Sequence, residues 1–179
     1  MSKSSQGAPS VNLLAVDTAT EGCSAACLAG DKSFERYAVD PQGHSRTLLG
    51  MVEAVLAEAR LERSALDALA YDAGPGSFTG IRIGAGVAQG LALGLEKPLL
   101  AVSSLMALAE GARREQPDCN SILAAIDARM DQVYWARLES DPEAPGHWRW
   151  DEMPCVSEPR AVAAHIFGCT GVGSGWDRY

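Results

Sequence analysis

The sequence predicts an α/β fold: a mixed sheet flanked by helices, with a smaller second lobe of the same type. Three observations point there. Between residues 11 and 39 three short apolar or alternating runs follow one another across tight turns, the pattern of an antiparallel meander. From His44 the apolar residues switch to helical spacing, and helix-length and strand-length segments alternate as far as Glu115. From Ser121 a strand, hairpin, strand, helix, strand pattern starts again, so one α/β unit recurs in partial form.

Residues 11–18 (VNLLAVDT) make the first strand, which ends in Asp17 before the turn formers Thr18, Thr20 and Gly22. Residues 23–29 form a second strand, Gly30 and Asp31 a two-residue hairpin turn, and 32–39 a third strand of alternating character. Residues 44–60 are helical. Leu48, Val52, Val55 and Ala59 share one stripe and Leu49 and Leu56 widen it, leaving more apolar surface than one contact needs. A strand at 66–73 leads into Gly74-Pro75-Gly76, and Ser77 caps the helix that follows. Pro98 stops that helix, 99–103 is a short strand, and Ser103 or Ser104 caps a third helix reaching about Glu115. In the second half, 122–127, 132–138 and 147–153 read as strands, 158–166 as a helix, and 167–172 as the start of another strand.

The segment 74–95, GPGSFTGIRIGAGVAQGLALGL, organises the rest. From Thr79 onward only Arg82 and Gln89 are strongly polar, so no side is continuously hydrophilic and burial on more than one side is expected. Gly80, Gly84, Ala88 and Ala92 recur every four residues as a smooth ridge; Gly86, Gly90 and Gly94 form a second one. Each interior glycine costs roughly 0.5 to 1 kcal/mol unless packing returns it. A membrane span is disfavoured, because the run falls short of the ~20 apolar residues required and carries Arg82 near its start. Two readings stand: the central helix of one core, or a helix packed on its own sheet by one face and on a partner protein by the other. The Gly-Pro-Gly turn at a helix start can hold an anion, although a tight strand-to-helix connection accounts for it equally well.

With 179 residues, 47% hydrophobic and 21% charged, the chain is expected to be one soluble domain or one domain plus part of another. The formal charge is -8 and the basic residues are scattered, which argues against tight nucleic-acid binding by its own surface. Five cysteines without a CxxC pair read as free thiols in a reducing compartment, not as a disulfide framework or zinc site. The polar start MSKSSQGAPS, followed by no signal-peptide pattern, points to the cytoplasm, with residues 1–10 disordered or artificially appended.

Several motifs then coincide: Asp17-Thr18-Ala19-Thr20 after an apolar strand, His44-Ser45 opening a helix, GPGSFTGIRIG at 74–84, and AQGLA at 88–92. Ile126-Asp127-Ala128-Arg129-Met130 with Val133-Tyr134-Trp135-Ala136, and Gly173-Ser174-Gly175-Trp176, complete the set. Together they resemble the bacterial TsaB (YeaZ) family over residues 11 to about 176. The resemblance implies the actin, Hsp70 and sugar-kinase type of fold, built from two ribonuclease-H-like lobes. Residues 11–118 are expected to form the first lobe with its dimerisation helices, and 119–179 a partial second lobe cut short relative to the family.

The same resemblance implies a non-catalytic scaffold that forms homodimers alone and heterodimers with the catalytic paralogue TsaD, in the threonylcarbamoylation of the adenosine beside the tRNA anticodon. The TsaE ATPase completes that assembly, tRNA is reached only through it, and no membrane is involved. Leu48, Leu49, Val52 and Leu56 of the first helix and Gly80, Gly84, Val87, Ala88 and Leu91 of the second are the expected interface. In TsaD a His-x-x-x-His pair binds the catalytic metal; the matching positions here are Ser104 and Leu108, so no metal and no cofactor are expected. In this fold class Asp17 and Asp127, with Thr18 and Thr20, can face the phosphates and Mg²⁺ of a nucleotide. The favoured alternative is that both aspartates cap turns through backbone hydrogen bonds. An active phosphotransferase using Asp17 and Asp127, or a metallopeptidase, is the competing functional reading.

Overall fold

A computed structural model describes residues 11–39, 43–141, 143–144, 146–162 and 165–179. The expectation for residues 1–10 falls outside the described residues. The chain folds as two compact units: the described part of 1–71 with 82–101, and 72–81 with 102–179.

The first unit holds strands β1 (Asn12–Asp17), β2 (Gly22–Ala29), β3 (Lys32–Val39), β4 (Ala68–Asp72) and β5 (Leu99–Val102), in the sheet order β3-β2-β1-β4-β5. β1 and β3 pair antiparallel with β2, and β4 lies parallel to β1 with Leu14 opposite Leu69. The hairpin turns at Gly30, whose φ of 60° lies in the left-handed region. Alternation along β2 puts Cys23, Ala25 and Cys27 on one buried face. Against that face helix α1 (His44–Ala59) lays Leu48, Val52, Val55 and Leu56, all buried, and Leu14, Val16 and Leu69 extend the same core. Each such leucine contributes roughly 1.5–3 kcal/mol by leaving water. Helix α1 ends at Arg60 in the left-handed conformation, its N–H donating to the carbonyls of Leu56 and Ala57. A 3₁₀ turn at Arg63–Ala65 precedes β4.

Helix α2 (Phe78–Leu95) follows the Gly-Pro-Gly turn. Gly74 has φ 95°, and a Cβ there would stand 2.8 Å from Ile81 Cδ1, so the turn requires glycine. Ser77 caps as expected: its Oγ accepts from Gly80 N at 3.3 Å. By length and composition α2 is long and apolar enough to cross a membrane. Yet Ala88 and Ala92 are buried in the core of the first unit.

In the second unit the sheet order is β8-β7-β6-β9, from β6 (Ser121–Arg129), β7 (Gln132–Ser140), β8 (Trp148–Ser157) and β9 (Thr170–Val172). β6 and β8 pair antiparallel with β7, and β9 lies parallel to β6. This repeats β3-β2-β1-β4 of the first unit. β6 is buried on both faces. Ile122, Ala124 and Ile126 pack on Leu105 and Ala109 of helix α3 (Ser104–Glu115). Leu123 and Ala125 pack with Val133, Trp135 and Val162, the last from α4 (Pro159–Val162). A last helical turn, α5 (Gly175–Arg178), closes the described chain. On α3, Glu110 accepts hydrogen bonds from Arg113, Arg114 and Trp148. The Arg113 guanidinium is the main cause that holds this carboxyl at about 2, against opposing desolvation.

Two expectations need correction. The units divide at 101 and 102, not at 118, because α3 buries Leu105 and Ala109 on β6. The strand expected at 147–153 continues to Ser157 through Pro154. It can do so because β8 is an edge strand and Met153 and Pro154 fall in a register shift between the pairs Arg137–Glu152 and Trp135–Cys155. Of the helix expected at 158–166, the described part is Pro159–Val162, and residues 163–164 lie outside the described residues.

Candidate functional site

Helices α1 and α2 each turn one stripe to the core of the first unit and one outward. On α2 the inner row contains Gly84, Ala88 and Ala92: a Cβ on Gly84 would stand 2.7 Å from Thr18 Oγ1, and Ala88 is 1% exposed. Gly80 is buried as well. On α1, Leu48, Val52 and Leu56 are buried, while Val87 and Leu91 of α2 are half-buried against the same core. Of the nine expected interface residues only Leu49, 49% exposed, is freely presented. Leu48, Val52, Leu56, Gly80, Gly84 and Ala88 are therefore corrected: their side chains or Cα faces are used within the chain and have no area left for a partner.

The outward stripe has a different membership. On α1 it comprises Arg46, Gly50, Glu53 and Ala57; on α2 it comprises Arg82, Gly86, Gln89 and Leu93, all exposed. Both sets occupy positions i, i+4, i+7 and i+11. Leu93 is 82% exposed, and a Cβ on Gly50, Gly86, Gly90 or Gly94 would meet nothing within 4 Å. Near their C-terminal ends the two helices meet at one depression lined by Glu53 and Leu56 of α1 and Leu95 of α2. A sequence signal for this stripe existed: Arg82 and Gln89, the two strongly polar residues of α2, lie seven apart on one line.

Asp17 and Asp127 both close turns. Asp17 Oδ1 accepts from Ala19 N at 2.8 Å, and Thr20 Oγ1 from Gly22 N at 3.2 Å; Thr18 is buried. Asp127 Oδ1 accepts from Arg129 N at 2.9 Å, ahead of a β6–β7 turn in which Arg129, Met130 and Asp131 all have positive φ. Its Oδ2 pairs with Arg178 Nη1 at 3.0 Å and lies 3.6 Å from Arg129 Nη1. These contacts are the turn-capping geometry, and in Asp127 the negative charge is already answered by two guanidiniums.

Ser104 is buried and donates from Oγ to Asp72 Oδ1 at 2.6 Å; the same oxygen accepts from Gly74 N at 2.7 Å. Asp72 thus ties the end of β4, the Gly-Pro-Gly turn and the start of α3 together. Its role was missed at the sequence level, although an aspartate two residues before a turn glycine is a capping pattern. Leu108 packs on the core of the second unit, with its Cδ1 2.9 Å from where a Gly173 Cβ would stand. Among the described residues no three His, Cys, Asp or Glu side chains group so as to hold a metal ion.

Comparison with known proteins bears on this arrangement directly. The model of the family described as TsaD, tRNA N6-adenosine threonylcarbamoyltransferase, matches residues 39–144. The tRNA threonylcarbamoyladenosine biosynthesis protein TsaB of Escherichia coli is 42% identical over 173 residues, covering 94% of this chain and 74% of that protein. The chain belongs to the TsaB family. TsaB of Haemophilus influenzae is 38% identical over 176 residues, with the same coverage. The crystal structure of YeaZ from Pseudomonas aeruginosa superposes with a TM-score of 0.85 at 44% identity, covering 93% of this chain and 78% of that one. A second Pseudomonas aeruginosa structure, described as an uncharacterized protein with similarity to peptidase YEAZ, gives 0.84 at 43% identity. Membership of the TsaB family makes the chain a tRNA threonylcarbamoyladenosine biosynthesis protein, and the YeaZ likeness agrees with the two-unit α/β fold.

Proposed function

We propose that this TsaB family member is a non-catalytic scaffold that self-associates when alone and pairs with TsaD in the threonylcarbamoylation of tRNA beside the anticodon. The observation that carries the reading is the outward side of α1 and α2, where the stripe residues Gly86 and Leu93 and the adjacent exposed Leu49 and Gly90 leave two helices without a packed outer side. Glycines inside an exposed helix weaken it and gain nothing within this chain, so a closely approaching partner is their physical use. The chemistry then belongs to TsaD, with the TsaE ATPase in the full assembly, and the scaffold itself takes no metal or nucleotide. With a net charge of -8 it meets tRNA through the complex, in the cytoplasm and away from membranes.

Light scattering of the chain alone and mixed with TsaD tests this, together with Leu93→Asp. A dimer alone, a mixed complex with TsaD, and loss of both on Leu93→Asp are expected. Titration calorimetry supplies the opposite outcome: tight stoichiometric binding of ATP or a divalent cation by the lone chain, abolished by Asp17→Ala, would make it an enzyme. A steep salt-dependent affinity of the lone chain for tRNA would make it a direct tRNA binder.

A further inference from the structure

Where α1 and α2 end, the first unit has a depression of about 520 Å³, a volume usual for small-molecule sites. Its apolar wall is three leucines: Leu56, 4% exposed, and Leu61 and Leu95, both half-buried on the same core. Glu53, Glu62, Arg63 and Ser64 form the polar rim. The charges there favour one sign of ligand. Arg63 donates from Nη2 to Glu53 Oε1 at 2.7 Å, so an anion would have to displace a carboxylate from the rim's one cation. Glu62 is exposed and enters no ion pair among the described residues. Both helices also end here in the same way. Arg60 and Glu96 take the left-handed conformation, and the next N–H returns to a carbonyl five residues back, Leu61 to Leu56 and Lys97 to Ala92, each at 3.0 Å. The negative ends of two helix dipoles therefore stand at the leucine wall, while the neighbouring cations Arg60 and Lys97 do not line the depression.

We propose that this depression binds a linear aliphatic amine, a free polyamine being the class that fits. The methylene chain covers Leu56, Leu61 and Leu95, as the stem of a lysine covers apolar surface while its head stays at a polar edge. The ammonium group carries three donors and no acceptor, which matches a rim of acceptors: the Glu62 carboxylate, the Ser64 hydroxyl and the outer side of Glu53. Glu53 keeps that side open, since it and Arg63 are both more than half exposed. A bare metal cation would leave the leucines wet, and an uncharged chain would leave Glu62 unanswered. Among the described residues no aromatic side chain lines the depression, so an aromatic amine gains no stacking there.

Calorimetric titration of the chain with 1,5-diaminopentane at fixed ionic strength tests the site. Saturable binding of one molecule per chain is expected. Glu62→Gln should weaken it at least about tenfold, by removing a charged acceptor. Ser64→Trp, which fills the depression from an exposed position, should abolish it. Both variants should keep the thermal transition of the unaltered chain, because neither side chain is buried. Ammonium chloride and 1-pentanol, which supply the head and the stem separately, should each bind at least about tenfold more weakly than the diamine. No saturable binding, binding unchanged in both variants, or ammonium binding as tightly as the diamine would overturn the proposal. Tighter binding of Nα-acetyl-lysinamide than of the diamine would also overturn it, by assigning the depression to a lysine side chain of another protein.

Discussion

Gly84 and Gly86 stand two residues apart on α2 and meet opposite surroundings. At Gly84 the helix comes so close to the β1–β2 turn that a methyl group would press on Thr18 Oγ1 at 2.7 Å; at Gly86 it would meet nothing. α1 repeats the contrast, with Leu48 fully buried beside Leu49 at 49% exposed. Helical spacing puts neighbours on different sides, so adjacent residues of one type can serve the core and the outer surface separately. Glycine that lets two segments of one chain approach is retained by packing. Glycine that faces outward is a cost the monomer does not recover.

Substitutions on the two sides should therefore separate sharply, most of all with charge. Ala88→Asp places a carboxylate in a site 1% exposed and is expected to prevent stable folding, seen as loss of a cooperative thermal transition. Gln89→Asp, one residue along on the outer side, should leave that transition within about 0.5 kcal/mol. If both behave alike, the division into an inner and an outer row is wrong.

A smaller effect comes from Leu48→Ala, which opens a cavity in the first unit's core and should cost about 2–5 kcal/mol in urea denaturation. Leu49→Ala should cost under about 1 kcal/mol in the monomer. Gly84→Ala should destabilise by about 1–3 kcal/mol, since the added methyl would press on the buried, β-branched Thr18, whose χ1 is stiff.

In the second unit the corresponding lever is pH. Glu110 titrates at about 2 in the folded chain, below its ordinary value of 4.5, so its pairing stabilises fully above that ordinary value and is lost as pH falls toward 2. Allowing for the partial exposure of the pair, this amounts to about 1–2 kcal/mol. Glu110→Gln should remove that share of the stability change between pH 5 and pH 2, measured by denaturant unfolding at each pH. An unchanged pH profile would place the acid sensitivity elsewhere.

The smallest expected effect has the opposite sign. Gly86→Ala should stabilise the monomer by about 0.5–1 kcal/mol through helix propensity alone. If it destabilises the isolated chain, the outer face of α2 is not open.

Much of the fold was legible because period and punctuation are local. The runs 11–39, the switch at His44, the caps at Ser77 and Pro98, and the restart at Ser121 all became elements within a few residues of the expected bounds. The turn-capping geometry of Asp17 and Asp127 was legible for the same reason, since an aspartate bonds its own neighbours two residues on. What was misread lies at longer range. The ridge Gly80, Gly84, Ala88 and Ala92 and the row Gly86, Gly90 and Gly94 look equivalent as spacing, and Leu48 and Leu49 look like one widened stripe.

Composition and period determined that α1 and α2 have more apolar or small surface than one sheet contact uses. Only tertiary structure decided which row the sheet takes. That choice depends on where Thr18 and the β2 face of Cys23, Ala25 and Cys27 stand, tens of residues away in sequence. The same holds for α3, whose leucines pack on β6 of the second unit even though its sequence follows directly on the first. A helix's own sequence specifies its faces; the neighbour each face meets is set by chain segments that folding brings from far away.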